Sequence, residues 1–279
     1  MEKVKVKILG LSMAHRKGRN TAWMVEYALK AAEKFGRKVS DVAEVQTEFM
    51  DLSTKKIEMC WECPDYPCRP NNGADWKEGS VPEEFGCPIK DDYLAKKVMP
   101  KVAEADAFVF GCPVYTGTCT SLFITVMERF KAGIWKGWFS NKPVGSVTAA
   151  TMPIAGQEST LQQMNNVTRY LEMIPVSVGL GASSISGPPY GPLAADDDGK
   201  LIGVKNDKYA HWQAVCVGRR VAEIAVMLGV AKKQLGKRYI DEFAVYYTPP
   251  HGEVPRDWFS LDAADEQYMM NLTPSTFRG

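Results

Sequence analysis

Short apolar segments that read as strands alternate five times with segments of helical period, and this restricts the chain to few folds. The strand-like runs are Val4–Gly10, Val45–Leu52, Ala107–Gly111, Val144–Ala149 and Val176–Leu180. Between and after them, Thr21–Phe35, Asp92–Ala105, Ser121–Ala132, Gln157–Glu172 and Asp207–Leu228 read as helices. In the first helix Trp23, Met24, Tyr27, Ala28, Ala31 and Ala32 recur at three-to-four spacing, which makes one apolar face. AFVFG at 107–111 is apolar throughout, as expected for a strand covered on both faces. Strands alternating with helices predict an α/β fold, a doubly wound five-stranded parallel sheet.

A chain of 279 residues, 45% of them hydrophobic, supports one large core with extensions. Its formal net charge of +1 favours neither nucleic acid nor an acidic membrane surface as partner. No apolar run is long enough to span a bilayer, and MEKVKVKILGL alternates like a strand where a leader would be continuously apolar. Seven cysteines, an odd number without an export signal, lead us to expect reduced thiols and a cytoplasmic protein.

Four of those cysteines, Cys60, Cys63, Cys68 and Cys87, follow the spacing C-x2-C-x4-C-x18-C. Soft thiolates gathered this way close a shell around zinc or an iron–sulfur cluster, and unligated thiols are the remaining alternative. Cys112, Cys119 and Cys216 read as small core residues. Three stretches fall outside the alternating core. They are the polar loop Arg69–Gly86, the loop Gly181–Asn206, and a tail from Tyr239 with eight aromatics in 41 residues. The tail is too aromatic for a disordered segment and is expected to pack on a second subunit, as a homodimer or homotetramer.

Three loops follow strand ends and converge on one crevice. The first, GLSMAHRKGRNTAW, places Ser12, His15, Arg16, Lys17, Gly18, Arg19, Asn20 and Thr21 between a strand and a helix. It offers N–H groups and a helix N-terminus to an anion. It reads equally as a basic surface loop with an Asn/Thr cap. The second loop, GCPVYTGTCTS, supplies Pro113, Val114, Tyr115, Thr116, Gly117 and Thr118 as an apolar and aromatic wall with backbone amides. The third, AATMPIAGQES, brings Ala149, Thr151 and Gly156, the glycine allowing close backbone approach. No HExxH or G-x-S-x-G motif supports hydrolysis.

These loops resemble the NADPH-dependent FMN reductase family. Its S-x-x-R-x-x-x-N-T loop is matched by Ser12, Arg16, Asn20 and Thr21, and its G-x-P-V-Y-x-G-x-x-x-S element by Gly111, Pro113, Val114, Tyr115, Gly117 and Ser121. Gly156, Gln157 and Glu158 match its third loop in part. The cysteines ahead of C-x-I-K-D-D resemble the iron–sulfur flavoprotein branch of that family, although the branch usually shows C-x2-C-x2-C and a short last gap. Met13, Ala14 and His15 replace the usual Gly-Ser and Pro.

The resemblance implies a flavodoxin-like FMN-binding domain over 1–237, with a cluster-binding insertion at about 58–90 and an extension over 238–279. FMN would set its phosphate in the Ser12–Thr21 loop and its ring against 113–118 and 149–156. Cys60, Cys63, Cys68 and Cys87 would hold a [4Fe–4S] cluster. The function implied is electron transfer between that cluster and FMN, with a small molecule or protein as donor or acceptor. Alternatives are an NAD(P)H-dependent flavin or quinone reductase with structural cysteines, and a flavin- or metal-sensing protein without turnover.

Overall fold

The computed structural model describes residues 2–63, 68, 87–134, 137–185, 202–239, 262–264 and 267. Strand β1 (Val4–Ser12) lies between β2 (Ala43–Asp51) and β3 (Ala107–Gly111). Strand β4 (Pro143–Ala150) follows β3, and β5 (Ile174–Pro175) and β6 (Ala182–Ile185) both pair with β4. All these pairings are parallel. The order β2-β1-β3-β4-β5 reverses direction between β1 and β3, so their carboxyl ends open a crevice at the switch point.

Every residue of β3 and β4 is buried, because helices cover both faces there. One layer packs Phe108, Phe110, Phe123, Phe130 and Phe139 with α2 (Met99–Glu104), α3 (Ser121–Ile134) and α4 (Gln157–Tyr170). The other packs Val6, Ile8 and Val109 with α1 (Asn20–Lys38) and α5 (Lys208–Leu235). These two helices meet closely at Gly218, where a Cβ would lie 1.8 Å from the Ala28 carbonyl oxygen. Strand β2 alternates between buried and exposed at the sheet edge.

Two elements differ from expectation. The fifth strand does not run over Val176–Leu180. β5 and β6 flank that segment, which leaves the sheet with Val178 exposed. The Val176 N–H still donates to the Val144 carbonyl at 2.8 Å, and beyond it Gly179 (φ 67°) and Gly181 (φ 150°) turn the chain. The stretch taken as the start of a long loop is therefore strand at Ala182–Ile185, and Gly203–Asn206 forms a 3-10 turn before α5. The helix expected over Asp92–Ala105 is a π turn at Leu94–Val98 followed by α2. Pro100 donates no N–H to the turn before it, which widens there. The loop Arg69–Gly86, most of the tail and the oligomer expected from it lie outside the described residues. No helix among the described residues is long and apolar enough to cross a membrane.

Candidate functional site

The crevice at the ends of β1, β3 and β4 is lined by Ala14, Arg16, Arg19, Asn20, Thr21, Pro113, Val114, Tyr115, Ala149, Ala150 and Thr151. The three loops picked out by sequence thus meet. Ala14 and Ala150 are additions, each adjacent in sequence to a residue named in those loops.

Helix α1 begins at this crevice with no side-chain cap and no acidic residue in its first turn. Its N-terminus, and with it the positive end of its dipole, lies at the opening, with Arg16 and Arg19 beside it. Ser12 lies beneath, fully buried, and its Oγ has no hydrogen-bond partner. A buried hydroxyl without a partner beneath a helix N-terminus is a polar group left for a ligand to engage. The loop is held open from below. Gly18, at φ 62°, donates its N–H to Asp51 Oδ2 at 2.8 Å, and Asp51 Oδ1 accepts the Ser53 N–H at 3.0 Å. Asp51 ends β2 opposite Ser12 in the register. Sequence reasoning missed it because its role depends on that pairing.

Asn20 does not simply point into the crevice. Its Oδ1 accepts the Val204 N–H at 3.3 Å, which ties the 3-10 turn over the start of α1. The Thr21 methyl packs toward Gly111. Thr120 ties the second loop to the first by donating to the Met13 carbonyl at 2.9 Å, while its Oγ1 accepts the Phe123 N–H at 3.1 Å and caps α3. Tyr115 and Thr118 close the second loop by exchanging backbone bonds, and His15 stacks on Tyr115 at 5.4 Å. Thr116, Gly117, Thr118 and Gly156 do not line the crevice. They build its wall. Thr118 donates to Gln163 Oε1 at 2.5 Å, and the Gly117 carbonyl accepts the Ser159 hydroxyl at 2.8 Å. Two non-glycine residues in these loops, Thr116 (φ 54°) and Ile154 (φ 55°), hold left-handed backbone, the kind of strain that surrounding structure imposes at binding sites. Ile154 is fully exposed beside half-exposed Met152.

The four spaced cysteines line a second cavity together with Trp61, Glu62, Pro88, Ile89, Glu128, Arg129, Lys131 and Ala132. Cys87 is buried and the others are half-buried. Burial raises the Cys68 thiol, and the neighbouring Cys87 and Cys60 add to this while Lys131 opposes it. Among the described residues no three His, Cys, Asp or Glu close around a single metal ion. Among the described residues the two cavities share no lining residue.

Cys112 and Cys119 are buried in the α3 layer, as expected. Burial works to raise the Cys112 thiol, but the Cys119 thiol and the N–H and hydroxyl of Thr120 hold it below its ordinary range. Cys119 is raised by that neighbour and by burial. Cys216 is half-buried on α5 and not part of the core.

The model of the NADPH-dependent FMN reductase family matches residues 6–186. An iron–sulfur flavoprotein of Methanocaldococcus jannaschii is 27% identical over 223 residues, covering 80% of this chain and 99% of that protein. One from Archaeoglobus fulgidus is 24% identical over 221 residues, 79% of this chain and 96% of that protein. Among solved structures, RosB with a bound 8-demethyl-8-formylriboflavin-5'-phosphate intermediate superposes with a TM-score of 0.55 at 18% identity, over 88% of this chain and 93% of RosB, which shows a shared fold. The chain belongs to the NADPH-dependent FMN reductase family, and with that family it is an FMN-dependent oxidoreductase.

Proposed function

We propose that this protein binds FMN in the three-loop crevice and a [4Fe–4S] cluster in the cysteine cavity, and that it passes electrons between them and an outside redox partner. The observation that carries this reading is the gathering of Cys60, Cys63, Cys68 and Cys87 on one cavity in a chain whose strand ends form an anion-ready crevice. Flavin supplies one- and two-electron chemistry when bound, and a cluster supplies one-electron chemistry.

The residues fit these roles. Ser12, Arg16, Thr21 and the first N–H groups of α1 hold the phosphate, with Asn20 contributing from its tie to Val204. Pro113, Val114, Tyr115, Ala149 and Thr151 flank the ring, while Thr116, Gly117, Thr118 and Gly156 shape the wall behind it. A single zinc ion draws its sulfurs to about 2.3 Å. A cubane spreads its four thiolates over separate corners. Four cysteines on one cavity match the one thiolate per corner that a cubane takes. The iron–sulfur flavoproteins among the relatives support the same choice.

A second reading has a specific observation behind it. The matching family is described as NADPH-dependent, and the crevice and the cysteine cavity share no lining residue among those described. In this reading NAD(P)H gives a hydride directly at the crevice and the cysteines only brace the insertion.

Anaerobic purification followed by assay of FMN, iron, acid-labile sulfide and zinc decides between them. About one FMN and four irons per chain are expected, with Cys63→Ser losing iron and keeping FMN. Zinc, or no metal, with FMN present leaves the reductase reading. Arg16→Ala combined with Thr21→Ala should lose FMN and stay folded. Full retention of FMN by that variant places the phosphate elsewhere.

A further inference from the structure

The cysteine insertion is anchored by one buried ion pair. Arg129, on α3, has a side chain with 0% exposure, and that of Asp92 has 2%. Arg129 Nη1 donates to Asp92 Oδ2 at 2.7 Å and to the Glu58 carbonyl at 2.9 Å, and its Nη2 donates to the Ile89 carbonyl at 3.0 Å. Asp92 Oδ2 also accepts the Glu58 N–H at 3.0 Å, and the Tyr93 N–H reaches the Lys56 carbonyl at 3.2 Å. These bonds join one stem of the insertion, two residues before Cys60, to the other stem, two residues after Cys87. No cysteine takes part in them.

Stability alone does not explain such a pair. Desolvating two charges offsets most of their attraction, and apolar replacements of a buried pair are often neutral or stabilising. A planar guanidinium with three fixed acceptors does something an apolar cluster does not: it sets where two strands of chain sit relative to each other. The same Arg129 also forms part of the cavity wall, next to Lys131.

We propose that Arg129 and Asp92 are positioning residues for the cysteine site. They clasp the two stems so that Cys60 and Cys87 converge before any metal arrives, and the Arg129 charge offsets the negative charge of the gathered thiolates. The second part rests on the reading of these cysteines as metal ligands. The first part does not.

The test uses full-length, FMN-loaded protein with Arg129→Lys and Asp92→Asn. Lysine keeps the charge and loses the fork. Asparagine keeps an acceptor for Arg129 and removes one negative charge near the site. Metal-free reduced protein is treated with a short bifunctional thiol reagent, and the Cys60–Cys87 linked peptide is quantified by mass spectrometry. Iron loading follows, by iron content and by midpoint potential, with FMN content as the control for folding.

Wild type should give the linked peptide. Arg129→Lys should lower its yield and the iron content at least five-fold while FMN stays bound. Asp92→Asn should retain most of its iron and show a more positive midpoint potential, which a purely structural role leaves unmoved. Wild-type linkage and iron content in Arg129→Lys, or an unchanged potential in Asp92→Asn, overturns the proposal. If Arg129→Lys does not fold, the Asp92→Asn potential still decides. If wild type takes up no iron, the cluster reading fails, and the linkage yields alone decide whether the clasp stands.

Discussion

Asp51 Oδ2 accepts the N–H of Gly18 at 2.8 Å, so the end of the edge strand sets the shape of the loop between β1 and α1. The carboxylate lies close to where a phosphate would sit, and two effects oppose each other. Its hydrogen bonds to Gly18 and Ser53 hold the loop, and its charge repels an anion. Hydrogen bonds to charged groups contribute about 1.5–3 kcal/mol, and exposed charges are largely screened, so holding should win. Asp51→Ala should weaken FMN binding roughly tenfold, about 1.4 kcal/mol, without unfolding the chain. Flavin fluorescence titration measures this, and tighter binding in the variant would show that repulsion dominates.

Gly156 is placed where no other residue fits well. It sits at φ 108°, and a Cβ there would lie 2.6 Å from the Gly117 carbonyl oxygen. The obstructing atoms are Gly117 backbone, which cannot give way without opening the wall between the second and third loops. Gly156→Ala should destabilise the protein by about 1–3 kcal/mol. It should also reduce FMN occupancy after purification. Thermal melts with and without added FMN check both; a variant with wild-type melting and flavin content contradicts the close approach.

The sheet was legible where burial was uniform. AFVFG could only be a strand covered on both faces, and it is. The fifth strand was not legible, because Val176–Leu180 carries a strand-like pattern while Gly179 and Gly181 turn the chain there. Loop residues adjacent to strand ends, such as Arg16, Tyr115 and Thr151, were placed by their position together with the family resemblance. Asp51 was not, since it acts through register with Ser12; Asn20 was placed on the crevice, but its bond to Val204, 184 residues away, was not readable. Arg129 carries no local signal in its helix. Only the fold brings it to Glu58, Ile89 and Asp92.

Asp92 should give the cysteine insertion an acid-sensitive hold. Burial works to raise its carboxyl, but bonds from Arg129, the Ala95 N–H and the Glu58 N–H outweigh it and leave the group below its ordinary range. A carboxylate lowered in the folded state contributes stability that is fully present above its unfolded value of about 3.9. That contribution is lost as pH falls through the lowered folded value. Asp92→Asn should therefore be less stable than wild type at neutral pH and show a flatter acid limb below about pH 4. Tryptophan fluorescence melts across pH 2–6 measure it, and parallel acid limbs would count against the assignment.

Lys142 has the opposite sign. Burial pushes its amine down to about 7, the nearby Lys232 adds to this, and Asp106 opposes it. Its Nζ lies 6.0 Å from the Phe108 ring centre, and Lys232, itself lowered by burial, lies over the Tyr239 ring. An unfolded lysine titrates near 10.4, so between about pH 7 and 10 the unfolded chain binds a proton at this site that the folded chain does not. Stability contributed by Lys142 should then rise with pH across that window and level off below it. Lys142→Met removes the amine and keeps the length of the apolar stem, so it should be more stable than wild type at pH 7, with the advantage shrinking toward pH 10. Paired melting curves at pH 7, 8, 9 and 10 test this. A constant gap between the two proteins, or a less stable variant at pH 7, would mean that the amine stays charged in the fold and is held there by Asp106.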